Sequence, residues 1–452
     1  MMGINLSGVR VALISLGCDK NLVDGEVMLG LVTQYGGILT NNCEKADVIV
    51  VNTCGFISDA SQESVNAIMD AVEFKKRGVG VCKVVIVSGC FAERYKDDIF
   101  DELPGVDAVV GANKHGEIVD VICTVLGTGK AQPVSVYGRD DGCFYGERVV
   151  STRHYAYLKI AEGCDNHCTY CSIPVIRGAY RSRTIEALLE EAEVLANGGA
   201  KEIILVAQDT SCYGTDIYGE NKLAELLRGL SKTDNIKRIR LLYCYPQHIT
   251  DELIDEMAAN PKVAKYIDMP IQHAADSVLK RMGRKNIDIK ALVAKLREKM
   301  PQIAIRTTLI TGFPGETDEE FNNLLEFVKE LKFDRLGVFA YSREEGTPAD
   351  KMAGHLPKKV KEYRKNKVME LQQKISTEKL KEKIGMKTHV LIEGKTEDDM
   401  FYGCGHMDAP NIDGVVFVAS ENELAAGEFV AVTITGSLEY DLEGTVANEL
   451  AE

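Results

Sequence analysis

The sequence predicts a three-part α/β chain: an N-terminal doubly wound Rossmann-like domain, a parallel (βα)6 partial barrel, and a small antiparallel β-barrel at the C-terminal end. Three observations carry that prediction. The length of 452 residues is about three ordinary domains. Short Val- and Ile-rich runs alternate with helical patterns over residues 9–126 and again from 150 to about 355, as βα units do. From residue 382 to 449 the helical period gives way to short β runs separated by turn residues, the pattern of a small barrel.

In the first domain, VRVALISLG, ADVIVVNTCGF and CKVVIVSGC read as buried parallel strands, being β-branched and almost uncharged. Helical segments near 24–36 and 59–77 lie between them, and that order places the strands in one sheet. Residues 127–149 lose periodicity and gather Gly, Asp and Pro, which reads as a linker. Six strand candidates follow: YAYLKIAE, EIILVAQD, RIRLLYCYP, YIDMPIQ, AIRTTLITGFP and RLGVFAYS. Between the first two, TIEALLEEAEVLANGG reads as a helix with Thr184 as N-cap and Gly198 as its stop. A highly charged helical segment without internal Gly or Pro spans 358–384. The last part holds THVLIEG, GVVFVAS, EFVAVTITG and EGTVANE as strands.

Hydrophobic content of 45% and charged content of 27% are those of an ordinary globular protein. The N-terminal stretch lacks a basic region followed by an apolar core and a cleavage site. No apolar run approaches the roughly 18 residues of a membrane span, so the chain reads as cytoplasmic. Its net charge is −15, yet from Glu382 onward fifteen Asp or Glu face three Lys and no Arg. That acidic end reads either as a solvated surface or as a docking face for a basic partner, and it argues against a direct grip on a phosphate backbone.

Thirteen cysteines in a reducing compartment point to metal or catalysis rather than disulfides. Cys43, Cys82, Cys123, Cys212 and Cys244 read as small buried hydrophobes. Cys164, Cys168 and Cys171 are different, being spaced C-x3-C-x2-C in EGCDNHCTYCSIP just after the first barrel strand, where barrel enzymes place reactive groups. Structural zinc takes four ligands, usually in paired halves, and no second half lies nearby. His167 as a fourth ligand is hampered by its place next to Cys168. Three thiolates on a four-iron cube leave one iron open to a substrate or cofactor. A second trio, Cys18, Cys54 and Cys90, is spaced by 36 residues each time. Each member follows a predicted parallel strand, so the three converge at one sheet edge, each beside a glycine (Gly17, Gly55, Gly89). The competing reading is three core cysteines. Two clusters, each with an open iron, point to sulfur insertion into an unactivated C–H bond.

The C-x3-C-x2-C loop after a barrel strand resembles the radical S-adenosylmethionine (SAM) superfamily. Together with SLGCDKNLVDGE, VNTCGFI, SGCFAERY, RLLYCYP, MPIQHA, TTLITGFPGET and YDLEG, it makes nearly the whole chain resemble the methylthiotransferases. Gly25 stands where Ser is common in that family. The resemblance implies a methylthiotransferase N-terminal domain (8–126), a linker (127–149), a radical SAM core (150–380) and a TRAM domain (382–449). It implies an auxiliary 4Fe-4S cluster on Cys18, Cys54 and Cys90, and a SAM-binding 4Fe-4S cluster on Cys164, Cys168 and Cys171. It further implies two SAM per turnover, one donating a methyl group to a cluster-bound sulfur and one yielding a 5′-deoxyadenosyl radical. The product is a methylthio group on the β-carbon of an aspartate in ribosomal protein S-12, a basic partner suited to the acidic TRAM domain. Tyr170, Gln208, Asp209, Gln272 and Arg306 are the candidate SAM contacts. For them a packed Tyr, a capping Asp and a core-edge Arg are the competing readings, and Gly312 and Gly315 read as backbone turns. A tRNA adenosine methylthiotransferase is the neighbouring alternative; a zinc-stabilised, non-enzymatic interaction protein is the distant one.

Overall fold

In the computed structural model, which describes residues 5–128, 134–138, 148–152 and 154–447, the chain divides into two units. The first comprises the chain up to Ser151 with Glu162–Tyr180 and Ser342–Asp350. Its sheet has six strands: β1 (Arg10–Ser15), β2 (Ile38–Leu39), β3 (Val48–Thr53), β4 (Val84–Gly89), β5 (Ala108–Gly111) and β6 (Val134–Val136). They run in the order β2-β1-β3-β4-β5-β6 and every pairing is parallel. Successive side chains of a strand point to opposite faces, so a sheet covered on both sides needs an unbroken apolar run. In β3, Val48 and Val50 pack with Val27 and Leu31 of α1 (Asp19–Gln34), while Ile49 and Val51 pack with Ile68 of α2 (Ser58–Glu73). Each such side chain, fully buried, contributes about 1.5–3 kcal/mol. The predicted doubly wound domain is therefore present, with one difference. Val134–Val136 lies inside the segment read as a linker, yet it pairs with β5 as the edge strand. Three residues are too few for a period to register, and most of the rest of 127–149 lies outside the described residues.

The second unit holds the six expected barrel strands: β7 (Tyr155–Lys159), β8 (Glu202–Val206), β9 (Arg238–Leu241), β10 (Tyr266–Asp268), β11 (Ala304–Thr311) and β12 (Arg335–Ala340). They form two parallel sheets, β9-β8-β7 and β10-β11-β12, joined by an isolated bridge between Ile239 and Val263. This is a partial barrel. Thr184 caps the helix Ile185–Asn197 by accepting from Ala187 N–H, and Gly198 ends it. The charged helix Lys358–Lys381 buries Val368, Ile375 and Leu380, and its Arg364 pairs with buried Glu316 at 2.6 Å.

The C-terminal barrel contains β13 (Lys387–Lys395), β14 (Phe401–Cys404), β15 (Val416–Ala419), β16 (Phe429–Ser437) and β17 (Leu442–Val446), closed in the order β13-β14-β15-β17-β16. It is antiparallel except for β15 and β17, which run parallel. Five strands impose this: a closed ring with an odd number cannot alternate direction all the way round.

Residues 404–413 of this barrel reach under the N-terminal ends of the βα strands. Arg238 donates to the Cys404 carbonyl, Arg240 to those of Gly405 and His406, and Tyr266 to Asp413, at 2.7–2.9 Å. Arg335 pairs with Asp408, and Asn411 donates to the Tyr155 hydroxyl. Glu202, fully buried, sits between Arg238 and Arg240 at 2.8 and 2.7 Å.

Candidate cluster and cofactor site

In the sheet, β1, β3 and β4 are neighbours and parallel, so their C-terminal ends lie at one edge. Cys18 is the N-cap of α1, Cys54 follows β3 directly, and Cys90 opens the helix α3 (Cys90–Tyr95). Their backbones abut. A side chain at Gly17, whose φ is +87°, would place its Cβ 2.7 Å from Cys54 Cβ and 3.1 Å from its Sγ. One at Gly55 would meet the Phe91 backbone at 2.7 Å. Glycine is required where strand ends must come this close. Burial raises the Cys54 thiol above its ordinary range and pushes Cys90 up to about 12, with the Arg177 charge pulling Cys90 back. Thiols so placed become ligands only beside compensating positive charge, which suits a metal cluster.

The second trio belongs to the same unit. Its loop is closed by Cys164 N–H donating to the Gly178 carbonyl at 3.1 Å and Tyr180 N–H to Asp165 Oδ1 at 3.1 Å. Gly163 (φ +79°) and His167 (φ +45°) supply the left-handed turns. Asn166 directs its backbone and side-chain N–H groups at Cys164 Sγ, both at 3.5 Å, the kind of donor that sits on cluster thiolates.

Arg177 ties the segment that carries the second trio to Cys90 of the first. It caps the short helix Ile173–Ile176, six residues past Cys171, and is 1% exposed. Its Nε and one Nη lie 3.4 and 3.3 Å from Cys90 Sγ, while the other Nη reaches Asp24 at 2.7 Å and Glu162 at 2.9 Å. The planar fork serves one thiol and two carboxylates at once, which a lysine could not do. Nearby, Arg94 donates to the Gly55 carbonyl at 2.8 Å and pairs with Glu344 at 2.9 Å, and Glu344 accepts from Ser58 N–H at 2.9 Å. Sequence reading missed Arg177 and Arg94; the one available signal was a lone arginine in the apolar run SIPVIRG.

The candidate SAM contacts fare differently. Gln272 lies beyond β10, not at its end, and pairs with Leu309 by an isolated bridge at φ +70°. Its Oε1 is buried with no hydrogen-bond partner among the described residues, a group that calls for a ligand. Gln208 and Asp209 follow β8 as expected, but Asp209 is buried and accepts from Ser211, Cys212 and His248, the capping alternative realised. Tyr170 is half-buried in the turn between Cys168 and Cys171. Arg306 is the exception. It is the third residue of β11, near the N-terminal end, and is held by Asp268 at 2.8 Å and Asp413 at 3.3 Å. These ion pairs place it with residues 404–413 rather than at the ligand-binding end of its strand.

A doubly wound sheet with three strand-end thiols and a partial βα barrel with a C-x3-C-x2-C loop define a radical SAM protein. Comparison with known proteins agrees: the radical SAM superfamily profile matches residues 158–328, that of the uncharacterised protein family UPF0004 residues 10–111, and that of the TRAM domain residues 384–447. The chain belongs to the RimO family of ribosomal protein uS12 methylthiotransferases. It is 52% identical to the member from Lachnoclostridium phytofermentans over 97% of this chain and 100% of the relative, and 48% identical to that from Acetivibrio thermocellus over 97% and 99%. Among solved structures it shares its fold with the radical SAM methyltransferase TsrM from Kitasatospora setae (TM-score 0.56, 14% identity, 87% of this chain and 78% of the other). The cobalamin-dependent radical SAM enzyme OxsB is similar in fold as well (TM-score 0.51, 14% identity, 81% and 56%).

Proposed function

We infer that this chain is a radical SAM methylthiotransferase that adds a methylthio group to the β-carbon of an aspartate in ribosomal protein uS12, using SAM and two 4Fe-4S clusters. The observation that carries the reading is the pair of thiol trios in one unit, with the buried Arg177 of the cysteine-loop segment on Cys90, in a chain matched over 97% of its length by a RimO relative. When bound, the clusters and SAM supply the carbon radical and the methylthio group. Cys18, Cys54 and Cys90 would hold one cluster, and Cys164, Cys168 and Cys171 the other. The fit is supported by Gly17 packed against Cys54 and by the Asn166 N–H groups directed at Cys164 Sγ. Arg177 would fix Cys90 and carry the positive charge that its thiolate and the two carboxylates need. Gln272, with its buried unpartnered oxygen, and Gln208 and Tyr170 are proposed to contact SAM. Domain limits at 8–126, 150–380 and 382–449 follow the same reading.

We further propose that uS12 docks on the outer face of the TRAM barrel. Asp408 and Asp413 turn inward to arginines, but Glu397, Asp398, Asp399, Glu421, Glu423, Glu428, Glu439 and Glu443 are exposed. Such a face attracts a Lys- and Arg-rich protein and repels a phosphate backbone, which disfavours the tRNA alternative. Among the described residues no helix is long and apolar enough to cross a membrane.

The deciding experiment is anaerobic turnover with SAM and dithionite, offering a uS12 peptide and a tRNA anticodon stem-loop in separate tubes. Methylthio mass gain on the peptide alone is expected; gain on the RNA alone overturns the substrate. Cys54→Ala should retain about half of the roughly eight irons of two cubes and lose methylthiolation. Unchanged turnover in that variant would remove the strand-end cluster from the reaction.

A further inference from the structure

Two short 3-10 turns, Thr210–Cys212 after β8 and Pro246–His248 after β9, sit at the C-terminal ends of adjacent barrel strands. Between them three side chains converge on one point. Cys212 Sγ lies 2.8 Å from His248 Nδ1 and 3.2 Å from Asp209 Oδ2, and the same Oδ2 lies 2.9 Å from the same Nδ1. We propose that Asp209, Cys212 and His248 form a binding site for a thiophilic divalent cation, zinc being the best-matched ion.

Without a metal the triangle is crowded, all three polar atoms meeting at one point. If Nδ1–H and Sγ–H both donate to the carboxylate, only the weakly accepting sulfur lone pairs face Nδ1–H across an edge of 2.8 Å. If the thiol donates to Nδ1 instead, a bare nitrogen lone pair faces a carboxylate oxygen. A catalytic relay would set thiol and carboxylate on opposite ring nitrogens, whereas here both address Nδ1. A cation at the centre takes one lone pair from each of the three. Thiolate, imidazole and carboxylate are the zinc donor set, and zinc bond lengths of about 2.0–2.3 Å imply ligand separations of about 3.3–3.6 Å at tetrahedral angles. Each edge need open by less than about 1 Å, which the half-buried Cys212 and His248 allow.

Neighbouring groups aim the ligands. Ser211 donates to Asp209 Oδ1 through its backbone N–H at 3.1 Å and its hydroxyl at 2.6 Å, leaving Oδ2 toward the centre. The Ser211 hydroxyl is itself held by Tyr245 N–H at 2.8 Å. The Tyr245 ring stacks on His248 with centroids 5.6 Å apart. The Gln247 side-chain amide lies 3.0 Å from His248 Nε2; with its oxygen turned there it accepts Nε2–H and leaves Nδ1 as the ligating lone pair. Cys212 thus has a use that its reading as a scattered hydrophobe did not include.

The test uses holoenzyme assembled anaerobically with both clusters, so that iron occupies the six cluster thiols. Zinc is added, excess is removed with a chelator, and both metals are measured. One zinc per chain above the full iron content is expected, and the zinc edge should show one sulfur with nitrogen and oxygen ligands. In Cys212→Ser the sulfur scatterer should vanish. In His248→Ala zinc affinity, read by chelator competition, should fall by more than the roughly 10–100-fold that outer-shell partners are worth, with iron unchanged. Holoenzyme that binds no zinc, zinc with an all-sulfur shell, or zinc that leaves only together with iron would each overturn the assignment.

Discussion

Replacing Arg177 with Met tests the bridge it makes between Cys90, Asp24 and Glu162. In the native protein the Arg177 side chain is 2% exposed and those of Asp24 and Glu162 are 3% and 1%. Removing the guanidinium leaves two carboxylates without their cation and Cys90 without its donors. Breaking a buried pair from one side costs about 3–5 kcal/mol, a large share of the about 5–15 kcal/mol that holds a typical native domain. Anaerobic urea unfolding followed by circular dichroism should show that loss in the first transition, and bound iron should drop. Adding Asp24→Asn and Glu162→Gln to the Met variant should restore at least half of the stability, because no buried charge is then left uncompensated. Arg177→Lys should fall between, since an ammonium cannot reach all three partners. Electron paramagnetic resonance of the reduced clusters should shift in both single variants. If the Met variant unfolds within about 1 kcal/mol of wild type, the size of a single ordinary hydrogen bond, and keeps its iron and its spectrum, the bridge has no role.

Three further outcomes follow from the same geometry. Gly163→Ala should lose the loop cluster and retain the strand-end one, halving bound iron, because the added Cβ would stand 2.0 Å from the Ala179 carbonyl oxygen at a φ of +79°. Glu202→Gln should lower the urea midpoint by an amount equivalent to about 3–5 kcal/mol, since Arg238 and Arg240 flank this carboxylate in the buried floor. His406 is held down at about 4 from its ordinary 6.5 by burial and by the charges of Arg238 and Arg240. The unfolded chain takes up this proton first, so stability should decline as pH falls from 6.5 toward 4, by at most about 1.4 kcal/mol per pH unit. His406→Gln should remove that part of the slope in urea titrations across the range.

Legibility varied with the range of the interaction. The helix Ile185–Asn197 was readable with both ends, because Thr184 and Gly198 act within one turn of themselves. Strands β3 and β4 were readable because double-sided burial leaves an unbroken apolar run. β6 was not, being a three-residue edge strand with no buried member, specified by pairing with β5. Arg306 was misplaced for a related reason: a strand's composition does not tell which end faces a ligand, and Asp413, more than a hundred residues on, settles its partner. Arg177 is the strongest case. Its partners Asp24, Cys90 and Glu162 are scattered over more than 130 residues and mean nothing until the sheet edge and the loop are brought together.

Spacing and period by themselves laid out the three-part architecture and named the six cluster-ligand candidates, because these depend on local periodicity and on residue type. Only the tertiary structure decided which charges face which: the arginine joining Cys90 to Asp24 and Glu162, the inward turn of Asp408 and Asp413 beneath the barrel, and the meeting of Asp209, Cys212 and His248. Electrostatic pairing acts over a few ångströms of space whatever the distance along the chain, so no window of sequence contains it.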